Sequence, residues 1–190
     1  MKTLLLDQAF AYDGSQLRSH WILHTTKLVG DALVAWRGPC SVRRDEIADL
    51  QDLDGPGIRG ADMLHFVMER FDDGDLVRAV LRQRLLAAQA LEVLRALAPG
   101  GAELVRDGDD LFVAGAKLSI SIATRSACST LLHFALNVTN AGTPVRTAAL
   151  ADLGIDPRGY AERLLAAAAE EDSSMHDARC KVRAKGEAGA

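Results

Sequence analysis

The chain has 190 residues, of which 48% are apolar and 25% charged, as in an ordinary folded domain rather than a disordered segment. Its formal net charge of -4 and five scattered histidines offer no broad basic surface, so no nucleic acid is expected as a partner. The widely spaced Cys40, Cys128 and Cys180 indicate neither a disulfide framework nor a metal site. Because the apolar run before Asp7 is too short for a signal peptide or a membrane span, we expect a cytoplasmic protein that does not use a membrane.

The first forty residues predict a strand, a helix and a second strand. Residues 2–10 form a short run of Leu, Thr and Phe, and an apolar face over residues 15–28 indicates a helix. The second strand ends at Arg37 and Gly38, ahead of a proline. A cation at a strand end, followed by Gly-Pro, marks either a ligand-binding loop or an ordinary surface turn. Both interpretations stay open at this point.

Residues 52–60 form the most glycine-dense part of the first half of the chain. Gly57 and Gly60 would let backbone N–H groups approach a phosphate closely, and Arg59 could add a bidentate contact. The segment is not a P-loop, because the closing Gly-Lys-Ser/Thr is absent. A plain surface loop is the alternative.

Two regular elements follow the glycine-dense segment. Residues 62–71 predict a strand that carries His65, which is either a hydrogen-bonded core residue or a ligand-binding one. The stretch Leu76–Leu97 predicts the longest helix, which Pro99 and the glycines after it would end.

The end of the chain predicts a helix that starts at Pro157, a position that suits the first turn. We expect residues 173–182 to form a last strand docked on the sheet. One domain over residues 1–182 is expected, with residues 183–190 as a flexible tail.

Residues 101–140 predict an antiparallel meander, since four apolar-rich segments are separated by short Gly, Asp and Ser clusters. Strand alternation would place Lys117, Ser119 and Ser121 on one face. A long cation beside two hydroxyls could form the floor of an anion site. A solvated outer face of the sheet would show the same pattern.

The same stretch carries three motifs in a fixed order. They are Asp109-Asp110-Leu111, Gly115-Ala116-Lys117-Leu118-Ser119 and His133-Phe134-Ala135-Leu136-Asn137-Val138. In this order and spacing the segment resembles the central part of biotin and lipoate protein ligases and of lipoyl (octanoyl) transferases. Over its whole length the chain resembles domain-of-unknown-function family 366, through segments that include DGSQLRSHW, GDALVAWRGPC and ARCKVR.

The resemblance implies an α+β fold, with helices packed on one face of a mainly antiparallel sheet, as in class II aminoacyl-tRNA synthetase cores and biotin/lipoate ligases. It implies that Lys117 is catalytic and holds the reacting carboxyl and phosphate oxygens. It further implies ligand contacts by residues at the matching motif positions, namely Asp110, Ser119, His133 and Asn137.

The implied ligands are a small carboxylic acid or acyl group, ATP with Mg²⁺, and an acceptor protein. Two departures from the ligase pattern concern the site: Ile120 stands where a glycine is common, and no cysteine follows Val138. The leading hypothesis is therefore an ATP-dependent ligase that forms an acyl adenylate. The alternatives are a cofactorless acyltransferase and a non-catalytic module that binds a small anion or a partner protein.

Overall fold

The computed structural model describes residues 1–72 and 74–186. Within these residues the chain forms eight strands, three α-helices and three short 3₁₀ turns. The strands are β1 (Lys2–Leu5), β2 (Ala32–Ser41), β3 (Arg59–Arg70), β4 (Leu104–Asp107), β5 (Asp110–Val113), β6 (Ala116–Lys117), β7 (Ser119–Arg125) and β8 (Thr130–Asn137). The helices are α1 (Trp21–Thr26), α2 (Leu76–Leu97) and α3 (Pro157–Cys180).

Five strands form the main sheet in the order β1-β2-β3-β8-β7. β1 runs parallel to β2, whereas the other three neighbouring pairs are antiparallel, so the predicted mainly antiparallel sheet is confirmed. β4, β5 and β6 form a separate three-stranded sheet.

The predicted single meander over residues 101–140 is therefore wrong in one respect, because the chain changes sheets within it. Lys117 pairs with Phe112 in the small sheet, while Ser119 pairs with Leu136 in the main sheet. Leu118 lies between them and donates its backbone N–H to the Leu111 carbonyl at 2.7 Å. Because of this one-residue switch, strand alternation does not carry over from Lys117 to Ser119.

The two long helices cover one face of the main sheet. Asp75 caps α2 by accepting from the Val77 N–H, and Asp156 caps α3 by accepting from the Gly159 N–H. The core beneath them is built from the apolar faces of α2, α3 and the central strands, including Leu64, Phe66, Phe134, Leu94 and Leu164.

α1 departs from the predicted arrangement in length and in position. Its flanking residues His20 and Lys27 have φ values of 62° and 65°, and these left-handed conformations stop the helix well short of the predicted residues 15–28. Ile22 of α1 packs in a second apolar cluster with Trp36 and Val67. α2 and α3 contribute to the first apolar cluster and α1 to the second, so the three helices do not all pack in one cluster.

The predicted last strand over residues 173–182 is wrong, because α3 continues through most of it to Cys180. The sequence from Tyr160 to Lys185 contains no glycine or proline that would end a helix. The predicted tail at 183–190 lies in part outside the described residues. Among those that are described, no helix is long and apolar enough to cross a membrane.

Candidate functional site

A cleft lies on the face of the main sheet that α2 and α3 leave uncovered. One wall is the end of β7 with Lys117, and the other is the segment between β2 and β3, which contains two 3₁₀ turns. The empty space in this β7 cleft is about 550 Å³, counted with its solvent-filled mouth. Its lining is Tyr12, Leu17, Val42, Glu46, Ile47, Ala48, Asp49, Asp52, Ile58, Lys117, Ile120, Ser121, Ile122 and His133. It combines an aliphatic floor with a few convergent polar groups, which is typical of small-molecule sites.

Lys117 reaches the cleft from β6, where its ammonium is paired with a carboxylate of the neighbouring strand. The Lys117 Nζ atom lies 2.7 Å from Asp110 Oδ2, and the two side chains are 40% and 28% exposed. Partial burial raises the pKa of Asp110, although the neighbouring Lys117 ammonium opposes that rise. Burial of Asp110 thus disfavours the ionised carboxylate that the ion pair needs. The Lys117 side chain is partly exposed, so a ligand carboxylate can reach its ammonium.

Ser119 and Ser121 do not share a face with Lys117, contrary to the prediction. The Ser119 hydroxyl accepts a hydrogen bond from the Leu111 N–H at 2.8 Å, and the Ser121 hydroxyl accepts one from Gln83 of α2 at 2.9 Å. Both hydroxyls therefore make their hydrogen bonds on the side of the sheet that the helices cover, although Ser121 also borders the cleft. The switch of sheets at Leu118 breaks the alternation on which the prediction depended.

The floor of the cleft is instead formed by Ile120 and Ile122. In the register of β7 and β8 these residues lie opposite Ala135 and His133. The predicted hydroxyl floor is thus replaced by branched aliphatic side chains, which suit a hydrocarbon chain rather than an anion.

The glycine-dense segment contributes Ile58 to the cleft lining. Gly57 has a φ of 86°, a conformation that favours glycine, and the space that a Cβ would occupy there is open except for Arg59 Nε at 3.8 Å. The Arg59 guanidinium makes one long contact, 3.5 Å from Nη2 to the Pro56 carbonyl. At Gly60 an added Cβ would lie 2.8 Å from the Met63 sulfur, so the Met63 side chain would have to shift to admit one.

Arg37, Gly38 and Asn137 lie outside the cleft lining. Arg37 binds the Asp62 carboxylate bidentately, at 2.8 and 2.6 Å, on a partly exposed surface. Gly38 allows a close backbone approach, because an added Cβ would overlap the Phe10 carbonyl oxygen. The Asn137 amide donates to the Ala148 carbonyl at 3.0 Å and so fixes the chain behind Lys117.

His65 and His133 form a buried pair below the cleft. His65 Nδ1 lies 3.1 Å from His133 Nε2, and His65 Nε2 lies 3.1 Å from the Gly38 carbonyl oxygen. Burial lowers the pKa of His65 to about 4 and holds the pKa of His133 well below its ordinary value. Both rings are therefore neutral at pH 7. Of the two, only His133 lines the cleft.

Sequence reasoning missed Tyr12, which stacks on the His133 ring with centroids 3.6 Å apart and planes 10° apart. It also missed the acidic wall of Glu46, Asp49 and Asp52. No motif signals either feature, since Tyr12 joins the sheet through an isolated bridge to Cys40 and the carboxylates lie in irregular chain.

The five-stranded sheet and its two covering helices have a biotin/lipoate ligase-like fold. The chain is similar to biotin protein ligase from Aquifex aeolicus in complex with biotin and ATP: TM-score 0.57, 13% identity, 89% of this chain and 69% of that one. It is likewise similar to a putative lipoate protein ligase from T. acidophilum with bound lipoic acid: TM-score 0.55, 17% identity, 90% and 86% of the two chains. At such identities the likeness concerns the fold.

The chain belongs to the DUF366 family, a domain of unknown function whose model matches residues 1–183. An uncharacterised protein of Methanocaldococcus jannaschii is 34% identical in an alignment of 161 positions that covers 82% of this chain and 72% of that protein. A solved protein of unknown function from Pyrococcus horikoshi is 40% identical, with a TM-score of 0.90 over 96% of this chain and 98% of that one.

Proposed function

We propose that this protein is an ATP-dependent ligase-like enzyme that activates a small carboxylic acid as an acyl adenylate in the β7 cleft. The observation that carries the proposal is that Lys117, whose side chain is 40% exposed, lines the same cleft as the aliphatic side chains of Ile120 and Ile122. A cation next to an apolar channel is complementary to a carboxylate with a hydrocarbon body.

Lys117 would act on the carboxylate in two ways. Before reaction it binds the acid as a second partner beside Asp110, which holds the ammonium in place at 2.7 Å. When bound, ATP would supply the adenylyl group for the carboxylate, with pyrophosphate as the leaving group. A fixed cation in a partly desolvated cleft stabilises the charge that develops on these oxygens more strongly than water does.

The residues around the cleft are compatible with a nucleotide that arrives with a divalent cation. Gly57 leaves backbone space open, and Arg59 has most of its guanidinium donors free for phosphate among the described residues. Asp49 and Asp52 line the opposite wall and would repel a bare triphosphate. Mg²⁺ takes one or two carboxylates together with phosphate oxygens, so these two side chains are the ones that would hold it. No cluster of three or more metal-ligating side chains exists in the described parts of the chain.

The acyltransferase alternative gains no support from the cysteines. Burial raises the pKa of Cys40 to about 12, so its thiol is not ionised at neutral pH. Cys128 is exposed in the turn between β7 and β8, and neither residue lines the cleft.

Exchange of labelled pyrophosphate into ATP tests the proposal, with biotin, lipoate and short fatty acids as candidate acids. We expect exchange with at least one acid and its loss in Lys117→Ala. A parallel thermal-shift series identifies the binding acid, because a ligand at a hundred times its Kd adds about 2.7 kcal/mol to the free energy of unfolding. Binding of an acid without exchange would favour a non-catalytic binding module instead.

A further inference from the structure

We propose that Arg84 of α2 is a positioning residue for Lys117. By neutralising Asp109, it keeps the neighbouring Asp110 as the charged partner of the ammonium. The inference rests on the proposed function only in treating Lys117 as the reacting lysine. Its basis is a series of contacts that leads from the long helix to the β7 cleft.

Two acidic residues lie in succession on the strand next to Lys117. Asp109 is the second residue of the two-residue turn between β4 and β5, and Asp110 is the first residue of β5. Asp110 pairs with Lys117 at 2.7 Å, whereas the Asp109 carboxylate is bound by α2. Carboxylates on adjacent residues oppose each other's ionisation. The charge on Asp109 therefore needs a counter-cation if Asp110 is to stay ionised.

α2 supplies that counter-cation and a second donor. Arg84 Nη1 lies 2.7 Å from Asp109 Oδ1, and the Gln83 amide donates to Asp109 Oδ2 at 2.6 Å, so both carboxylate oxygens are held. Gln83 is itself buried and also donates to the Ser121 hydroxyl, which fixes its position. Asp109 is thus bound through its whole carboxylate.

The turn backbone leaves room for the Arg84 guanidinium. Gly108, the first turn residue, has a φ of 61°, a conformation that favours glycine, and a Cβ added there would overlap Arg84 Nη1. The guanidinium therefore lies directly against the turn. Because the Arg84 side chain is 42% exposed, its ion pair contributes little to stability, and its main effect is on the charge of the site.

The charges around Asp110 are balanced in pairs. Burial raises the pKa of Asp110, and the Lys117 ammonium lowers it. The Asp109 charge raises that pKa further, and the Arg84 charge opposes Asp109. Asp107, opposite Asp110 in the register of β4 and β5, is exposed. Loss of the Arg84 charge would therefore favour the protonated form of Asp110, which no longer attracts the ammonium by charge.

The lysine would then have other partners in the cleft. The carboxylates that remain in the described lining are those of Glu46, Asp49 and Asp52 on the facing wall. An ammonium drawn towards that wall leaves the position in which Asp110 holds it for the acid. Arg84 thus acts on Lys117 through the two aspartates.

A pH titration of the Asp110 carboxyl by its ¹³C resonance, without ligand, tests the inference. Low salt is needed because Arg84 is partly exposed and its charge is screened. We expect the pKa of Asp110 to rise in Arg84→Gln and to fall back when Asp109→Asn is added. Arg84→Lys keeps the charge and should titrate as the wild type does. Arg95→Gln, an exposed position three turns further along α2, is the matched loss of one charge and should cause no shift.

The pair of substitutions separates charge from packing. If Arg84 only packed against the turn, Arg84→Gln would lower stability without a titration shift that Asp109→Asn reverses. An unchanged pKa of Asp110 in Arg84→Gln overturns the inference, and so does a rise that persists in the double variant. If Arg84→Gln does not fold, Asp109→Asn alone decides, because removal of that charge should lower the pKa of Asp110 and no shift would refute the inference.

Pyrophosphate exchange connects the charge to turnover. We expect the acid limb of its pH profile to move to higher pH in Arg84→Gln and to return in the double variant, while Arg95→Gln keeps the wild-type profile. A limb that stays in place in Arg84→Gln would overturn the role of Arg84 in positioning the lysine. If the wild type exchanges with none of the acids but the Asp110 titration shifts as expected, the proposed function is wrong and the link from Arg84 to the Lys117 pair stands.

Discussion

The Lys117 ammonium and the Asp110 carboxylate form an ion pair within the small sheet, 2.7 Å apart and both partly open to solvent. An exposed pair of this kind contributes little to stability, with typical values of about 0–1 kcal/mol. The pair therefore holds Lys117 in position without making the fold depend on it.

Lys117→Ala should remove turnover and leave the melting temperature nearly unchanged, since the side chain serves a ligand more than it serves packing. Lys117→Arg should not restore turnover, because a planar guanidinium cannot replace a compact ammonium between two oxygens. Adenylate formation and thermal melts measure the two effects. Lys181→Ala, at the exposed end of α3, is the matched loss of one positive charge and should keep activity. Full activity in Lys117→Ala would end the catalytic assignment.

Arg59→Ala should weaken nucleotide binding by about 1.5–3 kcal/mol, the size of a charge-assisted hydrogen bond. Titration calorimetry with ATP and Mg²⁺ measures this. Arg163→Ala is the control, because Arg163 is exposed on α3, which covers the other face of the main sheet. Equal nucleotide affinity in the two variants would remove Arg59 from the site.

The buried histidines should make the free energy of unfolding depend on pH. A histidine with an ordinary pKa near 6.5 when unfolded and about 4 when folded binds fewer protons in the folded state between those values. The stabilisation is complete above about pH 6.5 and is lost as the pH falls towards 4, by about 3 kcal/mol for His65.

Urea denaturation at pH 7 and pH 4.5 checks this. His65→Gln keeps a hydrogen-bond donor for the Gly38 carbonyl. Between pH 7 and pH 4.5 its free energy of unfolding should fall by about 2–3 kcal/mol less than that of the wild type. His24→Gln, at an exposed position, should follow the wild type. The same pH dependence in all three proteins would contradict the buried neutral pair.

Gly38→Ala should destabilise the protein by about 1–3 kcal/mol or more, because the added methyl would overlap the Phe10 carbonyl, which also accepts from the Trp36 indole at 3.0 Å. Gly100→Ala is the control, since nothing lies within 4 Å of a Cβ there. Chemical denaturation compares the two. Similar stabilities would show that the backbone can yield at Gly38.

Ile120→Ala should widen the cleft and shift the preference towards bulkier acids. Because Ile120 is only half-buried, its truncation should lower the free energy of unfolding by roughly 1–2 kcal/mol, less than truncation of a fully buried isoleucine. Affinities for a branched and a linear acid measure the change in preference. Val105→Ala, at an exposed position of the small sheet, should leave that preference as it is.

The sequence was a good guide to elements defined by long periodic patterns. α2 spans the predicted Leu76–Leu97, and the predicted strand over residues 62–71 is the main part of β3. It was a poor guide where a single residue changes partners, as at Leu118, because alternation assumes that a strand stays in one sheet. The position of Tyr12 could not be predicted for another reason: its place beside His133 depends on a contact between residues 121 positions apart.

Gln83 of α2 gives the two walls of the cleft unequal freedom to move. Its amide donates to Asp109 of the small sheet at 2.6 Å and to Ser121 of the main sheet at 2.9 Å, so one helical side chain joins both sheets next to the Asp110–Lys117 pair. Displacing the Lys117 wall would require breaking bonds to α2, a helix that packs in the main apolar core. The facing wall is built from two short 3₁₀ turns and the irregular chain around them. Any closure around a ligand should therefore be a movement of that wall towards a stationary lysine, and exchange of backbone amides should slow there first when ligand binds.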